Sequence, residues 1–294
     1  MLYFQNVSMT IWQLLEDAKK TISYGSDTLA VEVLLSFVLG KERSFLVAHP
    51  EMSLSVGQER RFFKLFSRLS QGEPVAYITQ KKEFYGLDFF VNKNVLIPRP
   101  ETELLVWKAI EYIEQKKYID KHFKVLDVGT GSGCIAVSLA KTMPMIDVTG
   151  IDISGQALLV AQKNAKNHLV SERISFVKGN LLTGIESSFD LIVANLPYIG
   201  TERFSFVSRE AREFEPNIAL FGGKDGLQLY EKLFSQLAAA IWKPKALFGE
   251  FGFLQRQELE LSLQKYFPDA KKITFFQDYA DIDRVFMVEW LHHA

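Results

Sequence analysis

The sequence predicts an α/β fold, in which a mostly parallel β-sheet is covered by helices and preceded by a small all-α domain. Three observations support this prediction. Apolar residues recur at helical spacing from Thr10 to about Gly72. Strand and helix patterns alternate from Lys124 onward, as in βαβ units. The length of 294 residues is typical of two domains. We therefore expect three segments in chain order: a helical domain at 1–80, a β-hairpin linker at 81–100 and an α/β domain at 101–294.

The N-terminal segment is expected to hold four or five short helices before Pro74. Asp27 and Ser55 are suitable N-cap residues, because a short polar side chain accepts a hydrogen bond from the first turn of a helix. Gly40 and Gly72 are suitable C-cap residues, because glycine readily takes the left-handed conformation that ends a helix. These positions divide the segment into a small helical bundle.

A change of pattern follows, between Lys82 and Val95. Aromatic and aliphatic residues surround a predicted turn at Gly86-Leu87-Asp88, which indicates a β-hairpin. After Pro98-Arg99-Pro100, apolar spacing predicts a helix from Glu101 to about Lys117.

The α/β segment is then predicted to alternate as follows: strand 124–128, helix 134–142, strand 147–151, helix 155–167, strands 174–177 and 190–194, helix 227–242, strand 246–251, helix 256–266, and strands 272–276 and 285–290. The last two strands have no helix between them. We therefore expect them to form an antiparallel hairpin at the edge of the sheet, which gives the sheet an antiparallel edge strand.

Composition excludes several classes of protein. Lys and Arg number 34 against 35 Asp and Glu, giving a formal charge of −1, whereas a protein that binds nucleic acid stably usually carries a basic surplus. Cys134 is the single cysteine, so no internal disulfide can form, and no Cys/His cluster predicts a metal site. No apolar run approaches the ~18 residues of a membrane span, and the N-terminus has no secretory signal pattern. A cytoplasmic protein fits these features best.

A glycine-rich loop follows the first strand of the α/β segment, in the sequence Asp127-Val128-Gly129-Thr130-Gly131-Ser132-Gly133. Such a loop places backbone amides and a helix N-terminus against a ligand. Its glycine spacing departs from the dinucleotide fingerprint, which makes a pyrophosphate ligand less suitable. Asp152 ends the next strand, at the position where a carboxylate binds the ribose hydroxyls in related nucleotide sites. A ligand with a ribose and no phosphate fits this pattern, and S-adenosylmethionine is such a ligand.

A second loop, Asn195-Leu196-Pro197-Tyr198, follows a buried strand. The carboxyl ends of parallel strands meet at one edge of a sheet, so this loop should share a crevice with the glycine loop. The side-chain oxygen of Asn195 and the carbonyl of Leu196 can accept hydrogen bonds from a planar nitrogen. Pro197 would stiffen the turn, and the Tyr198 ring offers a stacking face. A strand-ending turn with a partly buried tyrosine has the same sequence pattern.

Taken together, these motifs resemble the class I S-adenosylmethionine-dependent methyltransferases, which have a Rossmann-like sheet. Within them, the chain is most similar to the HemK/PrmC family, which methylates the side-chain nitrogen (N5) of a glutamine in peptide chain release factors. The resemblance covers most of the chain and rests on these segments: Gly72 to Ile78, Leu96 to Glu103 with its Pro-Arg-Pro-Glu-Thr-Glu sequence, Asp127 to Gly133, Asp152, Asn195 to Tyr198, and Asp283 to Val285.

The resemblance implies roles for individual residues. The methionine part of the cofactor would be bound by Asp127, Val128, Gly129, Thr130 and Gly131. Asp152 would bind the ribose, and Asn180 and Leu181 the adenine. The glutamine of a Gly-Gly-Gln motif would be bound by Asn195, Leu196, Pro197 and Tyr198. Of these, Asn195, Pro197 and Tyr198 would be the catalytic residues. Asn195 would also contact the cofactor. The family has proline where this chain has Leu196, which keeps the carbonyl and loses rigidity.

The family's partners are class I release factors, which the helical domain would recognise. Two other functions remain open from the sequence. One is methylation of an amino group in DNA or ribosomal RNA, since such enzymes have a similar Asn-x-Pro-Tyr loop; the charge of −1 opposes it. The basic residues Arg209 and Arg212 are interleaved with acids up to Glu215, a pattern typical of a solvated face. The other is a non-catalytic binding module, which the intact Asp127, Asp152, Asn195 and Tyr198 oppose.

Overall fold

The computed structural model describes residues 8–21, 28–116, 123–185, 187–202 and 208–291. Contacts divide the chain into two units. The smaller unit comprises residues 1–80 with 209–214, and the larger comprises residues 81–208 with 215–294. Among the described residues, no helix combines the length and apolar character needed to cross a bilayer.

The smaller unit is helical, as predicted. Its described helices are α1 (Ile11–Thr21), α2 (Thr28–Leu39), α3 (Arg43–Ala48), α4 (Val56–Ser70), α5 (Val75–Thr79) and, from later in the chain, α9 (Arg209–Phe214). Ser55 caps α4 as predicted, because its Oγ accepts from Gln58 N while Gln58 Oε1 accepts from Ser55 N. Gly40 and Gly72 have φ of +64° and +90°, as helix-ending glycines do. The proposed cap Asp27 lies outside the described residues.

A two-stranded hairpin opens the larger unit. Strands β1 (Lys81–Phe84) and β2 (Leu87–Phe90) pair antiparallel. The turn is Tyr85-Gly86, both at positive φ, so the predicted turn at 86–88 was wrong in position: Leu87 and Asp88 already pair with β1. A two-residue hairpin turn needs this backbone geometry at its centre. Asn164 fixes the hairpin, since its carboxamide bonds both the N–H and the carbonyl of Phe90.

The main sheet has seven strands within the described residues, in the order β5-β4-β3-β6-β7-β9-β8. The strands are β3 (Phe123–Val128), β4 (Ile146–Asp152), β5 (Ile174–Lys178), β6 (Leu191–Ala194), β7 (Ala246–Glu250), β8 (Lys272–Gln277) and β9 (Asp283–Glu289). Strands β3 to β7 run parallel, which confirms the predicted alternation. The predicted β8–β9 hairpin is also confirmed, and the reversed strand β9 lies between β7 and β8, one place in from the edge.

Helices cover the sheet and complete the Rossmann-like architecture. They are α6 (Glu103–Gln115), α7 (Cys134–Thr142), α8 (Gly155–Asn167), α10 (Asn217–Leu220), α11 (Gln228–Ala239) and α12 (Arg256–Tyr266). Buried apolar residues form two clusters in this unit, one containing α6 and α7 residues and the other α11 and α12 residues. The short helices α9 and α10 were not predicted.

The strand order fixes where a ligand can bind. The chain runs from β3 outward to β4 and β5, and then returns to place β6 on the other side of β3. Loops leaving the carboxyl ends of β3 and β6 therefore diverge and leave a crevice between them. The glycine loop follows β3 and the Asn195 loop follows β6, so the two motifs meet at this crevice.

Candidate active site

A cavity of about 360 Å³ lies at the carboxyl ends of β3, β4, β5 and β6. This volume is within the range of small-molecule sites. Nine residues predicted for the site line it: Gly129, Thr130, Gly131, Asp152, Asn180, Leu181, Asn195, Leu196 and Pro197. Asp127, Val128 and Tyr198 do not line it. The segment from Asn94 to Thr102 forms another part of the wall.

The glycine loop approaches its neighbours too closely for most side chains. A Cβ on Gly129 would lie 3.1 Å from Leu196 Cδ2, and one on Gly133 would lie 3.0 Å from Ala161 Cβ. Both glycines, like Gly131, have positive φ. A Cβ on Gly131 would meet nothing nearer than 3.9 Å. The loop is therefore packed on both flanks and open above its centre.

Asp127 is buried beneath this loop and holds it in place. Its Oδ2 accepts from Thr130 Oγ1 at 2.7 Å and from Ala136 N, in the first turn of α7, at 3.2 Å. Oδ1 is buried without a hydrogen-bond partner among the described residues. Burial raises the pKa of this carboxyl to about 7, although the two hydrogen bonds oppose the shift. The predicted contact of Asp127 with a cofactor stays a prediction.

Asp152 joins the glycine loop to the end of β4. Its Oδ2 accepts from Gly131 N at 2.9 Å, and its Oδ1 accepts from Ser154 N at 2.8 Å. Each carboxylate oxygen can accept a further bond, so the residue can also bind hydroxyl groups in the cavity. Burial raises the pKa of Asp152, against the lowering effect of its backbone hydrogen bonds.

Asn195 has its side-chain nitrogen fully engaged. Nδ2 donates to Thr102 Oγ1 at 3.0 Å and to Glu250 Oε2 at 3.0 Å. The Thr102 hydroxyl also bonds the Glu250 side chain. Because both amide hydrogens are used, Oδ1 at the other end of the carboxamide is the atom left to accept bonds from a ligand.

Glu250 is a site residue that the sequence interpretation missed. It ends β7 and is 1% exposed. Its Oε1 accepts from the Tyr198 hydroxyl at 3.1 Å. Burial raises the pKa of Glu250 to about 7, and the bonds from Thr102 and Tyr198 oppose this shift. Ala194 pairs with Gly249, so the parallel register places Asn195 beside Glu250, and an acid ending a strand was the available signal.

Tyr198 is held at both its hydroxyl and its main chain. Besides the bond to Glu250, its carbonyl accepts from Gln255 Nε2 at 2.8 Å. Burial and the nearby Glu250 carboxyl raise the pKa of its phenol well above the ordinary value. The predicted stacking of a substrate on its ring stays a prediction.

A glycine-rich segment, Gly222 to Gly226, packs against the backbone of the Asn195 loop. A Cβ on Gly222 would overlap the Pro197 carbonyl oxygen, and one on Gly226 would overlap that of Tyr198. Gln255 also donates to the carbonyl of Asp225 at 3.0 Å, and so links this segment to the loop. The close backbone contact fixes the loop's path and needs glycine at both positions.

A further buried acid lies beside Arg99, which lines the cavity. Glu215 is 6% exposed, pairs with Arg99 and accepts from Ile97 N at 3.0 Å. The interpretation of Glu215 as part of a solvated face was therefore wrong, whereas Arg209 is exposed and pairs with Glu213. Among the described residues, no group of three or more potential ligands is arranged around a metal position.

Comparison with known proteins agrees with this architecture. Residues 13–79 match a PrmC N-terminal domain model, and residues 119–220 match a methyltransferase domain model. A release factor glutamine methyltransferase of Koribacter versatilis is 41% identical over 234 residues, covering 78% of this chain and 81% of that protein. One of Dictyoglomus turgidum is 36% identical over 283 residues, covering 95% and 96%.

A solved structure shares the fold at lower identity. The N-terminal domain of human METTL16, in complex with SAH, aligns with a TM-score of 0.51 and 16% identity. The alignment covers 88% of this chain and 94% of that one. At this identity the similarity establishes the fold alone.

Proposed function

We propose that this chain, which belongs to the family of release factor glutamine methyltransferases, methylates the side-chain nitrogen (N5) of the glutamine in a release factor's Gly-Gly-Gln motif, with S-adenosylmethionine as donor. One observation carries the proposal from the site itself. The Asn195 carboxamide lines the cavity with its nitrogen engaged by Thr102 and Glu250. Its oxygen is thus available to bind a substrate N–H, as methylation of a carboxamide nitrogen requires.

The chain's own residues fit the proposed cofactor. Gly131 and Asp152 both line the cavity, a Cβ on Gly131 would meet nothing nearer than 3.9 Å, and Asp152 would accept hydrogen bonds from ribose hydroxyls. Asn180 and Leu181, after β5, line the same cavity and would contact the adenine. When bound, S-adenosylmethionine supplies an electrophilic methyl group, because its carbon is attached to a positively charged sulfur.

The Asn195 loop addresses the main chemical difficulty of the reaction. The lone pair of a carboxamide nitrogen is delocalised, so the nitrogen attacks only when it is well oriented. Asn195 Oδ1 and the Leu196 carbonyl would accept its two N–H bonds and direct the lone pair toward the methyl group. Pro197 restricts the loop's backbone. The loop's role is therefore orientation, and no strong base is required.

Each of the three predicted segments would have a separate role. Residues 1–80 would recognise a class I release factor, residues 81–100 would link, and residues 101–294 would bind the cofactor and carry out transfer. The match of residues 13–79 to a PrmC N-terminal domain supports the first assignment. Exposed apolar side chains in this unit, including Trp12 and Phe63, suit protein recognition. We place the activity in the cytoplasm, where release factors act, with no stable nucleic-acid partner.

Methyl transfer from labelled S-adenosylmethionine tests the proposal. The acceptors are a class I release factor, the same factor with its Gly-Gly-Gln glutamine replaced by alanine, and a mixture of total RNA and DNA. We expect label on the unaltered release factor alone. Label on nucleic acid would overturn the proposal in favour of base methylation. Bound cofactor with no labelled acceptor would overturn it in favour of a binding module.

A further inference from the structure

We infer that Glu250 fixes the orientation of the Asn195 carboxamide and thereby makes the site selective for an amide over a carboxylate. Glu250 is a positioning residue in this account, since it touches Asn195 and lies behind it relative to the cavity. The inference rests on the proposed function and deepens it, because it explains how glutamine would be told apart from glutamate.

The argument begins with the symmetry of a carboxamide. Rotating the end of an asparagine side chain by half a turn exchanges its oxygen and nitrogen with almost no change of shape. Packing alone therefore cannot decide which atom of Asn195 faces the cavity. Hydrogen-bond polarity must decide it, and the partners behind Asn195 supply that polarity.

Above the pKa of about 7 that burial gives Glu250, its ionised carboxylate only accepts hydrogen bonds, which suits it to this task. Its Oε2 lies 3.0 Å from Asn195 Nδ2, and the residue is 1% exposed. Turning Asn195 round would bring two oxygens together and leave a buried carboxylate short of a donor. An unsatisfied buried charge is strongly unfavourable, so a single orientation is stabilised.

Thr102 reinforces the same polarity. Its hydroxyl has one hydrogen, and it bonds Glu250 as well as Asn195. If that hydrogen is given to Glu250, the hydroxyl oxygen is left as an acceptor for Asn195 Nδ2. Tyr198 donates to the other carboxylate oxygen of Glu250. Every donor and acceptor in this buried group then has a partner in one arrangement only.

Selectivity for glutamine over glutamate follows from the atoms that each side chain presents to Asn195 Oδ1. The side-chain nitrogen of glutamine carries hydrogens that Asn195 Oδ1 can accept, whereas the carboxylate of glutamate carries none. Two oxygens facing each other would repel, so a Gly-Gly-Glu loop would bind poorly. If Asn195 were free to turn, its Nδ2 would be able to donate to that carboxylate, and the discrimination would weaken.

Glu250→Gln tests this because it keeps the size and shape of the side chain while adding a donor. A glutamine at this position satisfies Asn195 in either orientation, so the polarity is lost. We expect kcat for release factor methylation to fall about tenfold, as for loss of one orienting contact. Affinity for S-adenosylhomocysteine, measured by calorimetry, should change less than about twofold, since Asp152 and the glycine loop are untouched.

Binding of altered release factors gives the decisive readout. In the presence of S-adenosylhomocysteine, the ratio of affinities for Gly-Gly-Gln and Gly-Gly-Glu factors should fall about tenfold in Glu250→Gln. Glu260→Gln is the matched control, because it makes the same chemical change on α12, outside the cavity wall, and should leave the ratio unaltered. A merely structural role for Glu250 would not move this ratio.

The outcomes separate this inference from the proposed function. If the wild-type chain fails to methylate a release factor, the proposed function is wrong. If it succeeds and Glu250→Gln retains the wild-type ratio of affinities, the inference is wrong, whatever happens to kcat. Should Glu250→Gln fail to fold, Thr102→Val decides, because it removes the other acceptor for Asn195 and should shift the ratio in the same direction by about threefold.

Discussion

The two loops that meet at the cavity are held in different ways. The glycine loop is fixed by Asp127 and Asp152, which lie in the loop's own strand and the next. The Asn195 loop is fixed by Thr102, Glu250 and Gln255, which are more than 50 residues away in the chain. The cofactor end of the site is thus built locally, whereas the substrate end is assembled from distant segments.

This difference has a consequence for variants. Damage to the glycine loop or Asp152 should appear in cofactor affinity. Damage to the partners of the Asn195 loop should appear in turnover, even though those partners are remote in sequence.

Asn195→Ala should have the largest effect. It removes the acceptor that orients the substrate nitrogen, so we expect kcat to fall about a thousandfold. The dissociation constant for S-adenosylhomocysteine should rise no more than about threefold. Single-turnover kinetics and calorimetry measure the two quantities. A full-rate Asn195→Ala enzyme would contradict the assigned role.

Gly226→Ala should disturb the Asn195 loop through its backbone contact with Tyr198. The added Cβ would overlap the Tyr198 carbonyl oxygen, and φ is +89°, so the loop must move. We expect a loss of about a hundredfold in kcat and roughly 2–3 kcal/mol in the free energy of unfolding. Gly57→Ala is the matched control, because a Cβ there meets nothing within 4 Å. Equal losses in both variants would show that the effect is not specific to the loop.

Asp152→Ala should act on the cofactor end. It removes the acceptor for Gly131 N and Ser154 N and the proposed ribose contact. We expect the KM for S-adenosylmethionine to rise about thirtyfold, while kcat at saturating cofactor stays within about fivefold. Asp152→Asn keeps one side-chain oxygen, so its KM for S-adenosylmethionine should lie between those of the wild type and Asp152→Ala. A fall in kcat with an unchanged KM for S-adenosylmethionine would contradict the separation between the cofactor end and the substrate end of the site.

Asp127→Asn tests the pKa of the buried carboxyl through stability. The folded-state pKa of Asp127 is raised to about 7, so the folded protein binds the proton more tightly than the unfolded chain does. Its contribution to stability is fully present below about pH 4, is lost as pH rises from about 4 to about 7, and does not change further at higher pH. Relative to wild type, Asp127→Asn should therefore gain roughly 2–3 kcal/mol between pH 5 and pH 8, measured by urea unfolding. A pH-independent difference would show that this pKa is not raised.

Much of the fold was predictable from the sequence because it is encoded locally. Helices α7, α8 and α12 begin and end where the apolar spacing and neighbouring glycines indicated. The hairpin turn was misplaced, since Tyr85 takes a positive φ that its residue type does not suggest. Helices α9 and α10 have only six and four residues, too short for periodicity to detect.

The site was predictable only where its residues follow one another in the chain. Asn195 and Asp152 belong to motifs, and both line the cavity. Glu250 and Glu215 do not belong to such a motif, and their roles depend on which strands and loops become neighbours. The predicted strand ending near Glu250 gave the one available signal, because parallel strands align their carboxyl ends. The bond from the Tyr198 hydroxyl to Glu250 was not foreseen, because it too depends on which strands become neighbours.

Tandem mass spectrometry of a class I release factor, after incubation with the enzyme and S-adenosylmethionine, tests the central claim most directly. We predict one added methyl group on the side-chain nitrogen of the Gly-Gly-Gln glutamine, and none when Asn195→Ala replaces the wild-type enzyme. A methyl group on another residue, or an unmodified factor from an enzyme that binds the cofactor, would contradict the account.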